Sequence, residues 1–353
     1  MGSDAAYARA RAAIAQICRG DADARTLRLE VLAAIRRAVG FDAYAWLITD
    51  PETSVGSSPL ADVPCLPDLP RLIRLKYLTG VNRWTGLARG AVSLSAATGG
   101  ELSRSLMWRE LLHRYQVSDI ASSVYRDRFG CWGFLDLWRI QAPPFPAAGI
   151  EFLDGIAGPV TTALRHAQAM TFTPATGAGP LPAGPVVLLL SATLEVRAQT
   201  PQTQQYLRVL VPRDDEDQAP VPASAYNVAA QLIAAETGVD DGPPLARVHL
   251  ASGRWLTLRA ARMGTAGPAR ERDIAVSIEP AAPADRVSVF ARACGLTPRE
   301  AELLQQLVTG AATRDIAQAM FVSEHTVQDH FKSIFAKTAT RNRRTLLARA
   351  LGT

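Results

Sequence analysis

Apolar and polar positions change rhythm several times along the chain. Residues 5–39 carry a helical rhythm broken near Gly20-Asp21. In its second half Leu27, Val31, Ala34, Ile35 and Ala38 share one face, and Gly40 stands where a helix stops. From 41 to 49 the period shortens to two: Tyr44, Trp46 and Ile48 alternate with Ala43, Ala45 and Leu47 before an Asp50-Pro51 turn. Residues 66–114 read as mixed and partly helical. Strands are expected at 122–126 and 131–139 around a turn at 127–130, and a helix at 147–168. Residues 171–185, rich in Pro, Gly, Ala and Thr, read as a linker. Beyond it come a strand-like pair at 186–196, a polar helix at 201–210, an acidic loop at 213–222 and a helix at 223–237. Strands at 246–250, 255–262 and 273–278 follow.

The sharpest pattern begins at Leu296. Thr297-Pro298-Arg299-Glu300 has the form of a capping box, with Pro at the first helical position. Leu303, Leu304, Leu307 and Val308 then form a stripe that stops at Gly310. A second helix is expected at about 313–320, with Ile316, Ala317 and Met320 inward, then a tight turn at Phe321-Val322. Ser323 caps a third helix, in which Val327, Phe331, Ile334 and Phe335 make the buried face. Its opposite face presents His325, Gln328, Asp329, Lys332 and Ser333. Arg341-Asn342-Arg343 leads a fourth helix, packed through Leu346, Leu347, Ala350 and Leu351. Two short helices, a tight turn and a longer helix with a polar outer face are the sequence form of a helix-turn-helix.

Those residues, with Asp315-Ile316-Ala317, Val322-Ser323-Glu324-His325-Thr326-Val327, His330 and Lys337, make 294–353 resemble a LuxR-type DNA-binding domain. The resemblance implies base-facing positions at Gln328, Asp329 and Lys332, and positions near the DNA backbone at Ser323, Thr326, Ser333, Lys337, Arg341 and Arg343. Position 328 departs from the pattern, since the family usually has lysine there. Gln suits an adenine edge, and Asp329 beside it suits a cytosine amine. The helix–strand–helix–hairpin–helix order of 1–170 resembles a GAF domain, and 186–285 resembles a PAS-like fold. Both resemblances imply signal sensing. The expected architecture is therefore multi-domain, with two α+β sensor regions (or one larger α+β domain in their place), a linker at 171–185 and an all-α four-helix unit.

Charge sharpens this picture. The chain has 38 Lys and Arg against 33 Asp and Glu, a net +5. Residues 325–353 hold six bases (Lys332, Lys337, Arg341, Arg343, Arg344 and Arg349) and one acid, Asp329, leaving 32 of each sign before them. The whole excess therefore lies in the last 29 residues, which suits attraction to a phosphate backbone, though charge alone fits a solvated face or a membrane-surface patch equally well. The longest apolar run, 43–48, is six residues and far short of a membrane span. The N-terminus lacks a signal pattern, so a soluble, cytoplasmic protein is expected.

Candidate small-molecule chemistry is confined to the front. Five of six tryptophans lie before residue 139, and Trp46, Trp84, Trp108 and Trp132 are the candidate walls of an apolar pocket. Simple core packing explains the same residues. His113 and His166 are isolated, the four cysteines form no metal spacing, and no cofactor is expected. Asp50 stands alone after its strand, where a phospho-acceptor site would want paired acids. No phosphate-binding loop or nucleophile elbow appears, so an enzyme is not expected. The expected partners are double-stranded DNA, a second copy of the chain, a small-molecule ligand and RNA polymerase. The competing reading is a ligand-binding or interaction protein whose helical tail does not bind DNA.

Overall fold

The computed structural model describes residues 2–88, 90–173, 184–210, 222–250, 253–264 and 267–352. Residues 174–183 of the expected linker and 213–221 of the expected acidic loop lie outside the described residues.

Two helices open the chain, α1 (Gly2–Ile17) and α2 (Ala24–Ala38). They separate at Asp23, whose carboxylate accepts from the amides of Arg25 and Thr26 at 2.8 and 3.1 Å and so starts α2. Five strands follow: β1 (Ala43–Thr49), β2 (Gly56–Asp62), β3 (Gly90–Ser93), β4 (Val117–Asp127) and β5 (Gly130–Ile140). They form one antiparallel sheet in the order β2-β1-β5-β4-β3. Gly130, at φ +150°, closes the β4–β5 hairpin where a Cβ would lie 2.3 Å from the Pro51 carbonyl oxygen, so a side chain cannot stand there. Within the β2-to-β4 stretch lie α3 (Leu69–Leu78), α4 (Leu94–Ala97) and α5 (Leu106–Glu110), and α6 (Ala147–Met170) follows the hairpin.

A second antiparallel sheet, ordered β7-β6-β10-β9-β8, is built from β6 (Val187–Leu190), β7 (Val196–Gln199), β8 (Leu245–His249), β9 (Trp255–Arg262) and β10 (Ile274–Pro280). Two helices, α7 (Pro201–Leu210) and α8 (Ala223–Glu236), connect its first and second halves. The two sheets share one core. Leu47, Phe134 and Trp138 of the first and Leu256 and Val276 of the second belong to the same buried cluster, joined by Val228 and Ala229 of α8. An ion pair locks the join. Arg247 of β8 grips Asp50 at the end of β1 through Nε and Nη2 at 2.7 and 2.8 Å, the two residues being 4% and 0% exposed. Asp50 is thus held in a structural pair and is not open to solvent.

The remaining elements are helical: α9 (Pro283–Ala293), α10 (Pro298–Val308), α11 (Thr313–Ala319), α12 (Glu324–Thr338) and α13 (Arg343–Leu351). Three features were not expected from the sequence pattern: the strands β2 and β3, and the helix α9. The linker reading also needs correction at its start. Phe172 is fully buried, stacked on Trp255 at 4.7 Å and edge-on to Phe290 at 5.2 Å, so residues 171–173 belong to the packed body.

Candidate nucleic-acid interface

The four C-terminal helices close around Leu303, Leu304, Leu307, Ile316, Ala317, Met320, Val327, Phe331, Ile334, Leu346 and Ala350, all buried. Three of the four start at a side-chain cap, while α11 follows Ala312, which offers none. Thr297 accepts from the Glu300 amide at 3.3 Å while Glu300 Oε2 accepts from the Thr297 amide at 2.6 Å, completing the capping box. Ser323 accepts from the Thr326 amide at 3.1 Å to start α12, and Asn342 from the Thr345 amide at 2.9 Å to start α13. The turn between α11 and α12 puts Phe321 at φ +55° with its ring 95% exposed. A left-handed non-glycine residue carries a local cost, and an apolar ring in water at the foot of α12 is a feature the sequence reading passed over as turn.

One side of α12 is buried and the other is open. Val327, Phe331 and Ile334 face the core, while Gln328, Asp329 and Lys332 are exposed together with His325. The body leaves this side free. Lys332 Nζ donates to Asp329 Oδ1 at 2.9 Å, and that bond holds the Asp329 carboxyl below its usual range, with His325 Nε2 3.5 Å from the other oxygen. The free domain therefore presents a neutralised Lys–Asp pair beside Gln328, not an isolated cation.

The residues named for backbone contact divide into two groups. Ser323, Thr326 and Arg341 lie at the ends of α12 and in the turn after it, with Ser323 and Arg341 exposed. Ser333 and Lys337 instead turn inward to Glu300: Ser333 Oγ donates to Oε1 at 2.6 Å, and Lys337 Nζ to Oε1 and Oε2 at 2.9 and 2.6 Å. Burial by itself would raise the Glu300 pKa, but these bonds outweigh it and hold the carboxyl at about 2. Arg343 is also engaged. Its Nη2 donates to Thr313 Oγ1 at 2.7 Å, and its guanidinium lies 4.1 Å over the Phe331 ring. These three polar side chains brace the helical unit, Lys337 from its exposed edge. Sequence spacing gave no sign of this, because Glu300 and Lys337 are 37 positions apart.

The unit is bolted to the body through two arginines on facing elements. Arg286 of α9, 4% exposed, donates to the Ala350 and Arg349 carbonyls at the end of α13 (both 3.1 Å) and to the Gly253 carbonyl of the β8–β9 turn at 2.6 Å. Burial pulls its pKa down to about 10. From the other side, Arg349 of α13 donates to the Phe172 carbonyl just past the end of α6 and to the Ala169 carbonyl in its last turn, at 3.0 and 3.3 Å. Carbonyls left over at helix ends are natural partners for arginine.

The tryptophans do not form one pocket. Trp46 and Trp132 pack on the α2 and α6 side of the first sheet, Trp46 stacked on Tyr125 at 5.3 Å. A cavity lies on the opposite side, walled by Trp84 and by Trp138, which the sequence reading left out of the pocket. Trp108 packs near that core but does not line the cavity; its Nε1 donates to the Val117 carbonyl at 2.9 Å. The alternation of a strand puts Trp46 and Leu47 on opposite faces, so a list of nearby tryptophans could not separate the two sides. Among the described residues no cluster of His, Cys, Asp and Glu could hold a metal ion, and no helix is long and apolar enough to cross a membrane.

Residues 295–350 match the family model described as bacterial regulatory proteins, luxR family. Two curated proteins resemble the chain over 48 residues at 46% identity: the "Probable csgAB operon transcriptional regulatory protein" of Salmonella typhimurium and the CsgBAC operon transcriptional regulatory protein of Escherichia coli. The match covers 14% of this chain and 22% of each relative, so the chain spans less than a quarter of their length. Two structures of VqmA from Vibrio cholerae, a dimer in the absence of target DNA and a complex with ligand and DNA, align over 48% and 49% of this chain and 83% and 84% of theirs. Their identities are 16% and 17%, each with a TM-score of 0.19, too low to carry anything over to this chain.

Proposed function

We propose that this protein is a sequence-specific DNA-binding transcription regulator whose helix α12 reads the major groove. One observation carries the reading. The polar side of α12, with Gln328, Asp329 and Lys332, stays open to solvent even though its domain is docked on the body. An exposed helix of this kind, entering by its N-terminal half, is how a helix-turn-helix meets base edges. Gln328 is matched to an adenine edge. Lys332 and Asp329 act as one unit, with Lys332 turning to a guanine or a phosphate as its bond to Asp329 opens. Ser323, Thr326 and Arg341 contact the backbone. One domain of this size reads few base pairs, so two copies binding a near-palindrome supply the affinity. The front regions, GAF-like over 1–170 and PAS-like over 186–285, act as a sensor that sets the position of the docked domain, and RNA polymerase is the downstream partner.

The test is a salt titration of the full chain on duplex DNA by fluorescence anisotropy. A steep fall of affinity with salt is expected, and Arg341→Ala should make the slope shallower by about one counterion. Salt-independent behaviour, or no retention of DNA at low salt, overturns the reading in favour of a tail that serves another purpose.

A further inference from the structure

The side of the first sheet that faces away from α6 is incompletely filled. Between it, α3 and α8 lies a cavity of about 320 Å³, within the range of small-ligand sites. Leu47, Leu72, Ile73, Trp84 and Trp138 give it mostly apolar walls. Two polar features set it apart from a packing gap. The first is a buried ion pair in its lining. Lys76 Nζ lies 2.8 Å from Asp136 Oδ2, the side chains being 2% and 3% exposed, and Trp84 Nε1 donates to Asp136 Oδ1 at 3.0 Å. Taking such a pair out of water is expensive, and apolar side chains of the same volume would stabilise the fold at least as well.

The second feature is Asn227 of α8, which is fully buried and lines the same cavity. Its Nδ2 donates to the Ala223 carbonyl at 2.8 Å, but Oδ1 has no partner among the described residues. That oxygen lies against Gly56 of β2, where a Cβ would stand 3.2 Å from it and 2.5 Å from Leu47 Cδ2. The missing side chain lets α8 approach so closely. A buried acceptor without a donor costs on the order of 1–3 kcal/mol, which a ligand donor would recover.

We propose that the cavity binds a small, uncharged, ring-bearing molecule whose single hydrogen-bond donor engages Asn227 Oδ1. The ring is asked for by the indole walls. Neutrality follows from the self-compensated Lys76–Asp136 pair, beside which a further charge would be buried without a counterpart, since the one other charged group in the lining, Arg25, is exposed to solvent. Because α3 and the sheet belong to the first unit and α8 to the second, the ligand touches both, and its binding tightens their join. The assignment rests on the sensing half of the proposed function and is independent of DNA binding.

The experiment is calorimetric titration of the full chain, without DNA, with four probes: indole, 1-methylindole, indole-3-acetate and 1-octanol. Indole is expected to bind, with 1-methylindole and indole-3-acetate each weaker by about tenfold or more. Asn227→Leu should bring indole down to the affinity of 1-methylindole. Leu72→Trp, which fills the cavity with an apolar ring, should abolish indole binding while the protein keeps its native circular dichroism. Equal affinity for indole and 1-methylindole, or unchanged indole binding in Asn227→Leu, overturns the donor contact, and unchanged indole binding in Leu72→Trp overturns the cavity as the site. Binding of octanol but not indole overturns the ligand class while leaving a sensor; binding of none of the four overturns the cavity as a site.

Discussion

Glu300 does two things with one carboxylate. It closes the capping box of α10 through the Thr297 amide, and it anchors Ser333 and Lys337 of α12. The residue is 3% exposed, so little water competes for those bonds. Its pKa is held at about 2 against an ordinary 4.5. A depressed carboxyl pKa means the unfolded chain binds the proton more tightly. Its stabilisation is therefore complete above about pH 5 and is lost as pH falls through 4.5 toward 2, amounting to about 3 kcal/mol. Hydrogen-exchange protection of the α10 and α12 amides in the full-length protein should fall in that window, and Glu300→Gln should lower protection at pH 7 and flatten its dependence on acid. Protection that is the same in both proteins from pH 7 to 3 would mean the pair contributes nothing. The capping half of this residue was legible from Thr297 and Pro298 beside it. The anchoring half was not, because nothing local links a first-turn acid to a lysine on a helix two elements later.

Elements were legible where a single face is buried and obscured where pairing or a buried charge decides. The stripes of α2, α10 and α12 follow the helical period, and the caps of α10 and α12 stand where Thr297 and Ser323 predict, whereas the Asp23 cap of α2 is a finding of the structure. Strand β2, with the sequence GSSPLAD, contains a proline and few apolar residues and shows no strand rhythm; it exists as an edge strand through its bonds to β1. Strand β3 is four residues long and gives too short a rhythm to see. Helix α9 was missed because its inward face includes a charge, Arg286, which sequence patterning assigns to solvent. That arginine satisfies carbonyls of α13 and of the β8–β9 turn at once. In Arg286→Met these buried acceptors lose their donor at about 1–3 kcal/mol each, and the docked domain should come loose. Differential scanning calorimetry is expected to show one transition in the wild type and two in the variant. A single transition at an unchanged temperature would show that α9 and α13 are held together by other contacts.

Across the whole molecule, the proposed ligand cavity and the proposed DNA-reading helix are joined by packed structure. The cavity lies between the first sheet and α8, α8 carries the second sheet, and the β8–β9 turn of that sheet is gripped by the arginine that holds α13. A ligand that tightens α8 has a continuous route to the orientation of α12, provided the docked and undocked states differ in ligand affinity. The charge distribution suits the same division, with a neutral body and all of the net +5 in the last 29 residues. The most direct test of the groove assignment is selection of bound duplexes from a random library by the full-length protein and its Gln328→Ala variant side by side. The wild type should enrich a near-palindrome with half-sites about one helical turn apart, and the variant should lose its base preference at one position in each half-site while the rest persists. No enriched motif from the wild type, or identical preferences from the two proteins, would contradict α12 as the reading element.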